Sequence, residues 1–181
     1  MYEVEVKVRA DHDRVEAALE ESGAAHLETI RQADTYYNAP HRDFAATDEA
    51  LRVRRERRDG GVTAKVTYKG PKIDGESKTR EEHETAVDDA VAIDEILNGL
   101  GFTPAATVEK ERRRYDFDSY TVTLDTVTDL GDFVEIETDV EDEAAVERAR
   151  EDLQIALAAL GLDPEESIRT SYLGLLLNNS E

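Results

Sequence analysis

The chain contains no cysteine, which excludes disulfides and any thiolate metal site. Its four histidines, His12, His26, His41 and His83, are scattered and lack the paired spacing of a zinc site. No apolar run approaches the roughly 20 residues needed to cross a bilayer. The last such run, 172–177, suits only the end of a docking helix. A charged strand begins at residue 2, which argues against a signal peptide. No linker, low-complexity stretch or long repeat interrupts the 181 residues, enough for one domain with a full core. These absences describe a soluble cytoplasmic protein.

Lysine is scarce too. The 22 basic residues comprise 16 arginines and six lysines, set against 43 acids for a net charge of −21. Such a surface repels nucleic acid. Acid-rich, lysine-poor surfaces suit concentrated salt, where screening relieves self-repulsion, so the composition reads as halophilic. A surface poor in lysine keeps it where it has a task. Lys7, Lys65, Lys69, Lys78 and Lys110 all fall in or beside predicted strands, and only Lys72 sits in an evident loop.

What is present is alternation. In 3–8, Glu3, Glu5 and Lys7 take one face of a strand and Val4, Val6 and Val8 the other. Two carboxylates one side-chain repeat apart, roughly 6.5–7 Å, suit a hard cation, with the lysine placed to meet the anion it carries. Taken alone, the stretch equally describes a half-buried strand with a solvated charged face.

Further strands are predicted at 25–38, from residue 51, and at 62–69, 77–87, 106–117, 121–128 and 133–137. Helices are predicted at about 11–22, 88–100 and 142–160, and a last one opens at Asp163-Pro164 and buries Ile168, Tyr172, Leu173 and Leu176. The helix 88–100 is expected to turn Val91, Ile96, Leu97 and Leu100 to a core. Residues 38–47, with Pro40, read as a loop that could cover one end of the fold.

Eight strands joined largely by hairpin-length turns fit an α+β fold: an eight-stranded antiparallel closed β-barrel with flanking helices. Charge is sorted among the strand faces. Acids stand on the first and last strands (Glu3, Glu5, Glu135, Glu137), with Asp125 on the seventh. Bases stand on the third, fourth and sixth (Arg52, Arg54, Lys65, Lys69, Lys110, Arg112), and the fifth carries both signs. Closure would make the first and last strands neighbours and cluster four glutamates, which repel unless a cation lies among them. The bases opposite call for an anion, and a metal-bound polyphosphate satisfies both.

These residues resemble the CYTH superfamily, or triphosphate tunnel metalloenzymes. The resemblance runs through Glu3-x-Glu5-x-Lys7, Asp34-Thr35-Tyr36-Tyr37, Leu51-Arg52-Val53-Arg54, Thr67-Tyr68-Lys69-Gly70-Pro71, Thr79-Arg80-Glu81-Glu82-His83-Glu84, Lys110-Glu111-Arg112, Asp125 with Val127, and residues 130–137. The Tyr-Lys-Gly-Pro, Thr-Arg-x-Glu-x-Glu and Leu-Gly-x-Phe-x-Glu-Ile-Glu stretches are most similar to the class IV adenylyl cyclase branch. The likeness implies one CYTH domain over 1–181 and a tunnel that binds ATP or another triphosphate with Mg²⁺ or Mn²⁺. It implies Glu3, Glu5, Glu135 and Glu137 as metal ligands. Lys7, Arg52, Arg54, Lys69, Arg80, Lys110 and Arg112 become phosphate contacts, and Lys7, Lys69 and Asp125 catalytic residues. Glu82 and Glu84 stay open between ion pairing to arginines and metal ligation, and Tyr36 between tunnel rim and core. Arg55, Arg57, Arg58, Arg113 and Arg114 read as solvated or hairpin-end charges. As a cyclase the enzyme converts ATP to cyclic AMP and pyrophosphate. The rivals are a triphosphatase on the same fold, acting on inorganic, thiamine or nucleoside triphosphate, and a polyphosphate-binding module without turnover. A homodimer would cover apolar strand faces that the helices leave open.

Overall fold

The computed structural model describes residues 2–71 and 81–179. The expected site residue Arg80 lies outside the described residues, as do Lys72 and Lys78. Strict alternation yields β1 (Tyr2–Arg9), β2 (Ala25–Asn38), β3 (Ala50–Arg58), β4 (Gly61–Lys69), β5 (Glu82–Val87), β6 (Thr103–Phe117), β7 (Tyr120–Val127) and β8 (Gly131–Val140). Between β1 and β2 lies α1 (His12–Glu21). It starts where the Asp11 carboxylate accepts the backbone N–H groups of Asp13 and Arg14, at 3.0 and 3.4 Å. It is followed by Gly23, whose φ of +79° only glycine adopts without strain. The other helices are α2 (Phe44–Thr47), α3 (Ala90–Gly99), α4 (Val146–Ala159) and α5 (Tyr172–Asn179).

The eight strands form one antiparallel sheet in the order β1-β8-β7-β6-β2-β3-β4-β5. β1 and β8 are neighbours by direct pairing over Tyr2–Arg9 and Phe133–Val140, so their adjacency does not depend on closing a barrel as expected. The terminal strands of the order, β1 and β5, show no pairing among the described residues.

The last helix also departs from expectation. Asp163-Pro164 opens only a 3-10 turn, Pro164–Glu166, after which Ser167 is extended and Ile168 donates its backbone N–H to the Lys7 carbonyl at 2.7 Å. Edge strand β1 has carbonyls free on its outer side, and this segment takes one of them instead of continuing helically. The helix resumes at Tyr172.

Contacts divide the chain into two compact units, Met1–Ile30 with Lys110–Glu181, and Arg31–Glu109. In the first, Val4, Val6, Val8, Val122, Leu124, Val134 and Ile136 pack on Val15 and Leu19 of α1 and on Leu153, Leu157 and Leu160 at α4. Leu153 and Leu157 are fully buried, where truncation to alanine costs about 2–5 kcal/mol. In the second, Tyr37, Phe44, Leu51 and Val53 pack with Val66, Tyr68, Ile93, Leu97 and Phe102. Leu97 faces this core as expected. Val91, Ile96 and Leu100 do not, and remain more than half exposed. Apolar residues extend beyond one stripe of this helix, with Val91 on the side that carries Asp94 and Asn98, so apolar character alone does not select its buried face.

Candidate functional site

In an antiparallel pair, directly opposed residues project to the same face. In the first unit Glu5 stands opposite Glu137, Lys7 opposite Glu135, and Glu3 opposite Asp139. Across β7, Thr121 faces Glu137 and Thr123 faces Glu135. Across β6, Arg112 faces Asp125 and Arg114 faces Thr123. The face opposite the apolar core therefore gathers Glu3, Glu5, Lys7, Arg112, Arg114, Thr123, Asp125, Glu135 and Glu137, with Lys110 one repeat beyond Arg112.

Much of this charge is buried. Asp125 is fully inaccessible, and Lys7, Lys110 and Glu135 are nearly so. Arg112 forks onto Asp125, its Nε donating to Oδ1 at 2.8 Å and its Nη2 to Oδ2 at 2.7 Å, and the same Nη2 donates to Glu135 at 2.7 Å. Lys7 Nζ lies 3.9 Å from Glu135, and Lys110 Nζ 4.0 Å from Asp125. Arg114 bridges Glu137 at 3.3 Å and Glu28 at 3.2 Å.

Tyr172, the first residue of α5, completes the arrangement. Its hydroxyl donates to Asp125 at 2.8 Å, and its ring lies 4.4 Å from Lys7 Nζ and 4.9 Å from Lys110 Nζ. Two desolvated ammonium groups thus rest on an aromatic face that tolerates positive charge.

Titration follows from this crowding. Burial pushes Glu135 upward, Arg112 opposes, and the nearby Asp125 and Glu5 charges push the same way as burial. Burial raises Glu137 too, reinforced by Glu3. Asp125 goes the other way: desolvation is the largest single influence and pushes it up, but the Arg112 hydrogen bonds and charge, with Lys110 and the Tyr172 hydroxyl, together bring it down.

The second unit is wired differently. Gln32 faces Glu56, Asp34 faces Arg54, and Tyr36 faces Arg52. On β4, Lys65 faces Arg54 and Thr67 faces Arg52. On β5, Glu84 faces Thr67 and Glu82 faces Lys69. Arg54 makes a two-pronged contact with buried Asp34, 2.6 Å at each prong. Arg52 Nη1 approaches Asp34 at 3.5 Å, while its buried Nε has no hydrogen-bond partner. Lys65 donates to Glu84 and Lys69 pairs with Glu82, each at 2.8 Å. The Lys65 hydrogen bond lowers the Glu84 pKa against a smaller desolvation effect, and the Thr67 hydroxyl adds to it. Burial raises Tyr36, with Asp34 contributing.

The expected residues fall into these two sets. Glu3, Glu5, Lys7, Lys110, Arg112, Asp125, Glu135 and Glu137 come together in the first unit. Arg52, Arg54 and Lys69 belong to the second. Among the described residues, Glu84 pairs with Lys65 and Glu82 with Lys69. Four arginines read as solvated are engaged: Arg55 with Asp94, Arg58 with Glu56, Arg113 with Glu16, and Arg114 with Glu28 and Glu137. Sequence reasoning missed Asp34 and Tyr172. Asp34 carried a signal, being an acid on the face that β2 shares with Tyr36. Tyr172 carried none, because a tyrosine among leucines reads as core.

The CYTH domain family model matches residues 1–172. The chain belongs to the CYTH family. A protein of Methanocaldococcus jannaschii named "Putative adenylate cyclase MJ0240" is 39% identical over 176 residues, covering 97% of this CYTH chain and 98% of its own length. "Adenylate cyclase CyaB" of Aeromonas hydrophila is 30% identical over 173 residues, covering 94% and 86%. Among solved structures, the PH1819 protein of Pyrococcus horikoshii superposes with a TM-score of 0.86 at 41% identity, covering 98% of this chain and 99% of its own. No helix among the described residues is long and apolar enough to cross a membrane.

Proposed function

We propose that this CYTH chain is a divalent-metal-dependent adenylyl cyclase that converts ATP to cyclic AMP and pyrophosphate, with residues 1–181 acting as one catalytic domain around a closed tunnel. The observation that carries the reading is Glu5 directly opposite Glu137, with Glu3 and Glu135 one repeat away. Like charges in direct cross-strand register are destabilising, and burial has already raised Glu135 and Glu137. A cation relieves that cost.

The donors fit Mg²⁺ or Mn²⁺, which take oxygen ligands. Among the described residues no three acidic or histidine side chains form a ready cation cluster. Arg112 and Arg114 occupy Glu135 and Glu137 instead. They act as placeholder cations that metal would release toward phosphate. Glu3, Glu5, Glu135 and Glu137 would hold the metal, which supplies Lewis acidity to the ribose 3′-hydroxyl and to the departing pyrophosphate.

The chain's own residues would do the rest. Lys7, Lys110 and Arg112 of the first unit would bind phosphate oxygens, and Arg52, Arg54, Lys69 and Arg80 are the phosphate contacts that the CYTH likeness adds. Of these, Arg52 has the open Nε donor, whereas the Arg54 fork is committed to Asp34. Lys7 and Lys69 offset charge on the leaving pyrophosphate. Asp125 fixes Arg112 and Tyr172. The 3′-oxygen would form a bond to the α-phosphorus as the bond to pyrophosphate breaks and the hydroxyl proton passes to solvent water. Positioning and electrostatics carry the rate.

The two curated relatives bear adenylate cyclase names, which favours the cyclase over the triphosphatase that the same face would serve. Phosphorus NMR of protein incubated in concentrated KCl with Mg²⁺ or Mn²⁺ and ATP, thiamine triphosphate or inorganic triphosphate separates the two. Cyclic AMP with pyrophosphate is expected. Orthophosphate release makes the chain a triphosphatase, and tight binding without product sinks both. Glu3→Gln and Glu137→Gln should each lower metal-dependent turnover by at least about a hundredfold with the fold intact. Full activity in either variant removes that residue from the metal site.

A further inference from the structure

Thr123 lies in the middle of the acidic face, opposite Glu135 on β8 and opposite Arg114 on β6. It is 1% exposed, and its hydroxyl has no hydrogen-bond partner. An unsatisfied buried hydroxyl costs about 1–3 kcal/mol. A valine of the same shape would avoid that cost and suit the strand equally well.

Neither cross-strand neighbour uses the hydroxyl. Glu135 is taken by Arg112 and Lys7, and Arg114 by Glu28 and Glu137. The hydroxyl is therefore free for a ligand. Its surroundings indicate which one. Glu135 is opposite, Glu137 is one repeat along the same strand, and Glu5 lies beyond Glu137. Carboxylates on this side repel a bare phosphate oxygen. They attract a cation, whose remaining ligands are waters that donate strongly and need acceptors.

We propose that Thr123 is a positioning residue whose hydroxyl accepts a hydrogen bond from a water carried by the divalent cation at the Glu5, Glu135 and Glu137 corner. The inference rests on the cation reading above. It adds a residue that holds the cation without ligating it, and it explains why β7 places a threonine here.

Mn²⁺ binding followed by electron paramagnetic resonance without nucleotide, paired with thermal melting in EDTA, tests it on the full chain. Thr123→Val should weaken Mn²⁺ binding by about tenfold. In EDTA it should melt at or above the wild-type temperature, since it removes an unsatisfied group. Thr123→Ser, which keeps the hydroxyl, should bind Mn²⁺ within about threefold of wild type. Wild-type Mn²⁺ affinity in Thr123→Val overturns the inference and leaves the cation reading standing. A metal-free Thr123→Val that melts lower, or does not fold, assigns the hydroxyl a structural role and overturns it as well. A wild-type protein that binds no Mn²⁺ overturns the cation reading and this inference together.

Discussion

The two units build their charged faces from the same device, alternating strands in antiparallel register, and wire them oppositely. In the first, Glu5 stands opposite Glu137, and burial raises Glu135 and Glu137 above the ordinary glutamate value. In the second, Asp34 stands opposite Arg54 and Glu82 opposite Lys69, and Glu84 is held below it. On one face two glutamates oppose each other, and the arginines that meet Glu135 and Glu137 are shared with other acids. The other has its carboxylates satisfied and an arginine with a donor to spare. Register makes the difference. Glu5 falls opposite Glu137, while Asp34 falls opposite Arg54 and Lys69 opposite Glu82.

Arginine substitutions should break this comparison most strongly. Arg54→Ala leaves Asp34 buried without its two-pronged partner and should cost roughly 3–5 kcal/mol of stability by chemical denaturation. Arg52→Ala removes a weaker contact, at 3.5 Å. It should act mainly on substrate, raising KM while leaving the unfolding midpoint close to wild type. Equal stability losses would mean that the two arginines share one structural task.

The opposite pKa directions give a second, smaller contrast. The Glu84 pKa is lowered in the folded state, so its stabilisation is complete above the unfolded value and is lost as pH falls through the folded one. The Glu137 pKa is raised, so its ionisation costs stability as pH rises from the unfolded value through the raised one. In EDTA near neutral pH, Glu84→Gln should therefore melt below wild type and Glu137→Gln at or above it. Between pH 7 and pH 3 the Glu84→Gln deficit should shrink. A Glu137→Gln protein that melts lower than Glu84→Gln would contradict the account of the acidic face.

The strand faces were legible because alternation of period two states which residues share a side, whatever the tertiary structure. That identified the glutamates of β1 and β8 and the bases of β3, β4 and β6. Pairing order was not legible, since alternation is silent about neighbours, and from alternation alone only closure would bring β1 beside β8. Ion pairing was legible only by sign. Lys65 and Lys69 could be read as bases on a face, but their partners on β5 depended on register. The packing of α3 failed for the opposite reason, an excess of apolar residues. Tyr172 stayed hidden because its hydroxyl matters only once Asp125, some 47 residues away, is brought beneath it.

The proposed chemistry requires the crowded carboxylates of the first unit to bind a divalent cation. Isothermal titration of the metal-free protein with Mn²⁺, comparing wild type with Glu5→Gln and with Lys65→Gln, tests it most directly. Wild type and Lys65→Gln should bind with the same affinity, and Glu5→Gln at least about tenfold more weakly. Mn²⁺ binding that is absent from wild type, or unchanged by Glu5→Gln, would contradict it.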